Sequence, residues 1–282
     1  MRSPSRQGWV FAGPALLFTA VFFVGPMGMV LATSLWQRSG GAIDRTPTLG
    51  NYQRIFTDPI FLTALQNSFE VVLLTVVISL LLAYPFAYVI AYRIPPRWQG
   101  PLLLLAVLPF WTSYVVRSYS WLLVLARNGV VNNSLLEAGL IASPITLANT
   151  RSATVIAFVH FFTMVLALTI YASLRQIPDS LRLAARDLGA SGPRTFLSVT
   201  LPLSLPGVVV GAFLTFVLAI GDFITPQIVG GNNEQLLPQA IMLQVQRRGD
   251  FPLAAAMSVV LLAIVALVYL ASARKLTLEE PS

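Results

Sequence analysis

The chain has 282 residues, 56% of them hydrophobic and only 10% charged, with a mean hydropathy of +0.76. Soluble domains carry about 25% charged residues, so this composition excludes an ordinary water-soluble fold. With no cysteine and one histidine, disulfide frameworks and thiolate metal or redox sites are excluded, and imidazole chemistry has little room. The net charge of +7 is spread over short connections, which fits membrane topology better than nucleic-acid binding.

Six segments are apolar over the roughly 20 residues that a bilayer core requires. They are residues 10–34, 67–92, 102–125, 152–174, 203–225 and 252–273. The first is longer than a signal-peptide core and no small-residue cleavage site follows it, so it reads as a span. The third is the least regular, because Arg117 and several aromatic residues interrupt it.

Basic residues orient these spans. Arg2, Arg6, Arg93, Arg97, Arg175, Arg182, Arg186, Arg194, Arg274 and Lys275 fall on the side shared by both termini. Arg38, Arg45, Arg54, Arg127, Arg151, Arg247 and Arg248 fall on the other side, over longer connections. The positive-inside rule therefore predicts cytoplasmic termini and a cytoplasmic loop at 175–202.

In the first outer connection, residues 35–66, Gly40-Gly41 and Pro47 punctuate the chain. The pairs Ile55-Phe56 and Ile60-Phe61 near its end predict a short surface helix, with bundle capping and partner contact both open as roles. Pro85 in the second span and Pro109 in the third are expected to kink their helices or free a carbonyl. In the connection 126–151, Asn128-Gly129 signals a turn, and Asn133 or Ser134 is placed to cap a short helix reaching Leu140. In the last outer connection, Gly230-Gly231-Asn232-Asn233 precedes a predicted surface or re-entrant helix at 236–245.

Between the fourth and fifth spans lies Ile177-Pro-Asp-Ser-Leu-Arg-Leu-Ala-Ala-Arg-Asp-Leu-Gly-Ala190. On a helical wheel Leu181, Ala184, Ala185 and Leu188 share one face. Asp179, Arg182, Leu183, Arg186 and Asp187 take the flank and back, and Gly189 sits where a left-handed cap would end the helix. So short an amphipathic helix is unstable alone and needs support from both sides.

Three ionisable residues lie in or beside the spans: Glu70, Arg117 and Asp222, all toward the outer half of the bundle. A charge there costs several kcal/mol unless it is paired, snorkelled or wet. Arg117 has Trp111, Tyr114, Tyr119 and Trp121 nearby and is long enough to snorkel or to pair with Glu70 or Asp222. Asp222 follows Gly221 and precedes Phe223 and Pro226, so an irregular helix end is expected there. His160, among Phe and Val, reads as a polar link between helices.

The pattern Ala184-Ala185, Gly189, Val199 and Leu201-Pro202 resembles the cytoplasmic signature loop of permease subunits in binding-protein-dependent ABC importers. Leu183 stands where that family usually has glutamate. The stretch from Asn128 to Ile141, NGVVNNSLLEAGLI, and Leu218-Ala-Ile-Gly-Asp-Phe-Ile-Thr-Pro226 are similar to the polyamine-type members, the spermidine and putrescine permeases.

This resemblance implies an all-α, polytopic chain of six transmembrane helices with the type I ABC importer permease fold. It implies one permease domain over 1–282, lying in a bacterial inner membrane, and no catalytic or metal site. Its implied partners are a distinct second permease subunit, a dimer of ABC ATPases that bind ATP and Mg, and an extracytoplasmic solute-binding protein. Leu181, Arg182, Leu183, Ala184, Ala185, Arg186, Asp187 and Gly189 would then couple to the ATPase. Glu70, Tyr114, Arg117, Asp222 and Phe223 are candidates for the path or its gate, where a carboxylate and aromatic rings suit a cationic amine.

The chain has no Gly-rich loop ending in Lys-Ser or Lys-Thr, which places the energy source in another polypeptide. Thiamine, ferric iron, opines and amino-acid-like solutes are alternative cargoes within the same family. An ion-coupled secondary transporter would need a charge network near the midplane, and the charges here are peripheral. An intramembrane protease would need a nucleophile–base arrangement, and none is visible.

Overall fold

The computed structural model describes residues 6–231 and 234–277; Arg2, Asn232, Asn233 and the last five residues, named or included in the expectations above, lie outside the described residues. Helix α1 (Arg6–Thr19) passes through a π-helical turn, Ala20–Val24, into α2 (Gly25–Ser34). An antiparallel hairpin follows, β1 (Gln37–Ser39) with β2 (Ala42–Asp44), its register pairing Arg38 with Ile43. The Asp44 carboxyl, which accepts from the Thr46 amide at 3.0 Å, is held below the usual carboxylate range by that hydrogen bond.

Then come α3 (Gly50–Thr57), α4 (Pro59–Tyr92), α5 (Pro96–Val107) and α6 (Tyr114–Leu125). They are followed by α7 (Val130–Glu137), α8 (Arg151–Gln176), α9 (Asp179–Asp187) and α10 (Gly192–Thr195). A π-helical turn, Phe196–Thr200, leads into α11 (Leu201–Ile220), and α12 (Leu237–Leu243) and α13 (Phe251–Thr277) complete the chain.

Among the described residues, five helical stretches are long and apolar enough to cross a membrane. The pair Pro96–Trp111 and Tyr114–Glu137, bent by 90°, brings the number to six if it is one span. Among the described residues the fold is all-α apart from the hairpin.

Several expectations change in detail. The third span is not one helix. Pro109 lacks an amide hydrogen, the chain tightens to a 3-10 turn at Leu108–Trp111, and Thr112 (ψ 147°) and Ser113 (ψ 131°) are extended. Pro85, by contrast, leaves α4 continuous over 34 residues, starting well before the expected Asn67. The apolar pairs of the connection 35–66 divide between α3 and the first turn of α4. Helix α7 is capped by Gly129 rather than by Asn133 or Ser134 and stops at Glu137. Asn132 instead staples that connection: its amide donates to the Ala126 carbonyl at 3.1 Å and the Ile145 carbonyl at 3.0 Å, and its oxygen accepts from the Ile145 amide at 2.9 Å.

The chain divides into two compact units, one running to Thr63 and including Ala240–Ile264, the other holding Ala64–Gln239 and the residues from Val265. In the first, Asp250 accepts from the Leu253 amide at 3.2 Å and so caps α13, while its other oxygen faces Arg54 at 3.8 Å.

The second unit is built on α4, α8 and α11. Ala83, Ala87 and Ala91, spaced by one turn, pack against Leu166, Ile170 and Leu174 of α8. Gly207 and Gly211 let α11 approach the other flank of α8. A Cβ at Gly207 would lie 2.9 Å from the Thr169 carbonyl, and one at Gly211 would lie 2.9 Å from Leu166 Cδ2. This is the small-xxx-small contact by which membrane helices pack without a hydrophobic driving force. Meanwhile Leu81, Leu104, Leu105, Leu123 and Leu267 are all more than 60% exposed, the reverse of a soluble surface.

Candidate functional site

The loop after α8 is shaped by its own sequence. Pro178 (ψ 132°) ends α8, and Asp179 opens α9 where the helix dipole favours an anion. At the other end Gly189 takes φ +83°, its amide donates to the Arg186 carbonyl at 2.8 Å, and the Ala190 amide donates to the Ala185 carbonyl at 3.0 Å. Those two bonds form a Schellman cap.

The wheel is turned from its expected setting. Leu181, Leu183 and Leu188 are 45%, 57% and 89% exposed, and α9 buries none of its residues. Arg182, expected on the free back of the helix, turns inward: its guanidinium carbon lies 3.6 Å from the centre of the Tyr92 ring and Nη1 lies 3.2 Å from Asp179 Oδ1. The inward turn follows from chemistry, because Tyr92 offers a ring face that no leucine can use as well. Ala184, Arg186 and Asp187 stay exposed with the leucines, Ala185 is half-buried, and Gly189 is exposed.

At the C-terminal end of α11 the chain breaks at Gly221, and Asp222 sits in the break. One carboxylate oxygen accepts from the Ile224 amide at 2.8 Å, and the other accepts from the Tyr114 hydroxyl. Thr225 Oγ1 donates to the Tyr114 oxygen at 2.6 Å, so the phenol is held from both sides. Phe223 is 36% exposed beside it. Among the described residues no cation pairs with Asp222.

Arg117 pairs with neither Glu70 nor Asp222. Its Nη1 donates to the Pro109 carbonyl at 2.9 Å, and its guanidinium carbon lies 4.3 Å from the Phe161 ring centre and 5.1 Å from that of Tyr114. The Pro109 carbonyl, at the bend of the third span, also accepts from the Thr112 amide at 3.3 Å and from Thr112 Oγ1 at 2.6 Å, and the guanidinium adds a charged donor to those neutral ones. Trp121 Nε1 donates to His160 Nδ1 at 3.3 Å, linking α6 to α8. Arg117, Trp121 and His160 line a groove of about 340 Å³ with Pro109, Thr112 and Ser120.

Glu70 belongs to a cluster that the sequence reading missed. Arg151 Nη1 lies 2.5 Å from Glu70 Oε2 and 3.0 Å from Asn67 Oδ1, and Arg151 Nε lies 3.1 Å from Glu234 Oε2. The Arg151 amide also donates to Glu234 at 3.2 Å, placing that carboxylate at the N-terminus of α8. Glu70, Arg151 and Glu234 edge a groove of about 410 Å³ whose floor includes Val71 and Val155. All three pairings lie more than 80 positions apart, so local pattern carried no signal for them. Among the described residues no three His, Asp or Glu side chains converge as metal ligands would.

Comparison with known proteins gives the class of protein to which this fold belongs. The family model described as binding-protein-dependent transport system inner membrane component matches residues 73–275. The spermidine/putrescine transport system permease protein PotB of Haemophilus influenzae is 33% identical over 261 residues, covering 90% of this chain and 91% of that protein. The inner membrane ABC transporter permease protein YdcU of Escherichia coli is 31% identical over 310 residues, covering 98% and 96%. Among solved structures, a chain of a bacterial ABC transporter that imports the acidic polysaccharide alginate superposes with a TM-score of 0.73 at 17% identity, covering 95% of this chain and 96% of that one.

The chain belongs to the family of binding-protein-dependent transport system inner membrane components. It is a multi-pass inner-membrane permease subunit of an ABC-type solute importer, with the type I permease fold.

Proposed function

We propose that this permease imports polyamines of the spermidine and putrescine class. The observation that carries this is Asp222, a carboxylate at a helix break with two hydrogen-bond donors and no paired cation among the described residues. A charge so placed in a span needs compensation, and the ammonium of a passing polyamine supplies it. Phe223 and Tyr114 add ring faces suited to a cation. The likeness to PotB over nine-tenths of both chains supports the same cargo.

The remaining parts follow from the family. Residues 1–282 act as one permease domain beside a distinct second permease subunit, with two ATPase subunits on the cytoplasmic side and a solute-binding protein outside. Both termini and the 175–202 loop face the cytoplasm. Leu181, Leu183, Ala184, Arg186 and Leu188 meet the ATPase, and ATP-driven closure of that pair moves the bundle between its inward- and outward-facing states. Glu70 and Arg117 act as elements of the outer gate.

The test is ATP hydrolysis by the reconstituted complex, with its binding protein loaded in turn with spermidine, putrescine, thiamine and ferric iron. Stimulation by a polyamine-loaded form is expected. Stimulation by thiamine or iron alone overturns the polyamine reading.

A further inference from the structure

The contact between Arg182 and Tyr92 has a consequence for how α9 acts on the spans. Tyr92 is the last residue of α4, and its hydroxyl donates to the Leu174 carbonyl of α8 at 2.9 Å. Under the guanidinium of Arg182, one ring therefore touches α9, α4 and α8 together.

The aromatic contact continues. Tyr84, Tyr88 and Tyr92 recur every four residues and share one face of α4. Tyr88 lies 5.1 Å from Tyr92, and Phe196, just before α11, lies 5.6 Å from both Tyr84 and Tyr88. The Tyr84 hydroxyl meets Ser204 Oγ of α11 at 2.7 Å. Behind this ladder, Ala87 and Ala91 are packed on α8, so little free volume exists to absorb a displacement at its end.

We propose that Arg182 and Tyr92 form the joint through which movement of α9 reaches α4 and α8, which makes them positioning residues for transport rather than contacts to the ATPase. The inference rests on α9 being the ATPase-docking helix. It separates two jobs on one short helix. The exposed leucines receive the partner, and the inward arginine transmits the displacement.

The chain has no cysteine, so introduced cysteines label it uniquely. Leu81→Cys on α4 and Leu123→Cys on α6 occupy exposed positions, and spin labels there report the distance between those helices by pulsed EPR. The experiment uses the full complex with its ATPase in nanodiscs, without nucleotide and with ATP and vanadate. In the labelled parent, nucleotide is expected to shift the distance.

In Arg182→Met and in Tyr92→Leu, the ratio of shifted to unshifted protein falls about fivefold, the scale of one lost cation–π contact acting as a coupling term. ATPase co-purification and hydrolysis persist. Arg182→Lys restores part of the shift, and Tyr92→Phe, which keeps the ring, retains most of it. An undiminished shift in both Arg182→Met and Tyr92→Leu overturns the joint. So does loss of ATPase binding in Arg182→Met but not Tyr92→Leu, which would put Arg182 on the docking face. A labelled parent that binds no ATPase overturns the proposed function itself, and the joint with it.

Discussion

Asp222 and Tyr114 show how much one half-buried pairing decides. A hydrogen bond to a charged group contributes about 1.5–3 kcal/mol. Tyr114→Phe removes one from the Asp222 carboxylate and also frees Thr225 Oγ1, so it should lower the thermal midpoint of the purified complex. Asp222→Asn keeps the size of the side chain and an acceptor for the Ile224 amide, and removes only the charge. If that charge receives an ammonium, spermidine uptake falls about tenfold or more, while the midpoint shifts less than in Tyr114→Phe. Uptake at the parental rate in Asp222→Asn would remove Asp222 from the path. The sequence made Asp222 conspicuous, as a carboxylate beside Gly221 in an apolar run, and left Arg117 open to snorkel or to pair with Asp222 or Glu70. The structure decides otherwise: Arg117 donates to the Pro109 carbonyl and lies over the Phe161 and Tyr114 rings. Charge alone is legible in a sequence. Which helix end turns toward which is not.

Elements were legible where hydropathy alone defines them, and less so where backbone chemistry intervenes. The spans in α8, α11 and α13 follow from unbroken apolar runs, whereas the third span needed Pro109 and two extended residues weighed together to become a bent pair. The packing of α11 on α8 was not legible, since Gly207 and Gly211 matter only once Thr169 and Ser173 are known to face them. It leads to a specific prediction. At Gly211 an added Cβ meets side-chain atoms, Thr169 Oγ1 and Leu166 Cδ2, which can give way. At Gly207 it also meets the Thr169 carbonyl, which belongs to the helix backbone and cannot. Gly211→Ala should therefore cost about 1–3 kcal/mol, the usual range for overpacking. Much of that loss should be recovered when Thr169→Ala is added, and Gly207→Ala should resist the same rescue. Thermal unfolding of the four variants in detergent distinguishes the sites. Equal rescue at both would mean that the backbones are free to separate.

On the scale of the whole molecule, exposed leucines occur in two chemically different settings, and a single charge tells them apart. Leu81 lies within an apolar stretch of α4, where neighbours such as Leu82 and Ile78 are exposed as well, and its surroundings in the membrane are hydrocarbon. Leu183 and Leu188 are just as exposed, yet they alternate with Asp179, Arg186 and Asp187 on a helix outside the spans, a mixture that suits a protein surface better than lipid. Burying one leucine contributes about 2 kcal/mol, or about thirtyfold in an equilibrium constant. Leu183→Lys should thus weaken ATPase association about thirtyfold while leaving membrane insertion intact, and Arg186→Glu should weaken it by reversing a charge on the same surface. Leu81→Glu should do the opposite, because a carboxylate in the bilayer costs several kcal/mol and impairs insertion before any partner is met. Insertion is read from the membrane-extracted yield and association from ATPase co-purification. Parental ATPase binding by both α9 variants would mean that the loop resembling the family's coupling motif is not the docking surface. The missing glutamate at Leu183 would then mark a changed mode of attachment rather than a substituted contact.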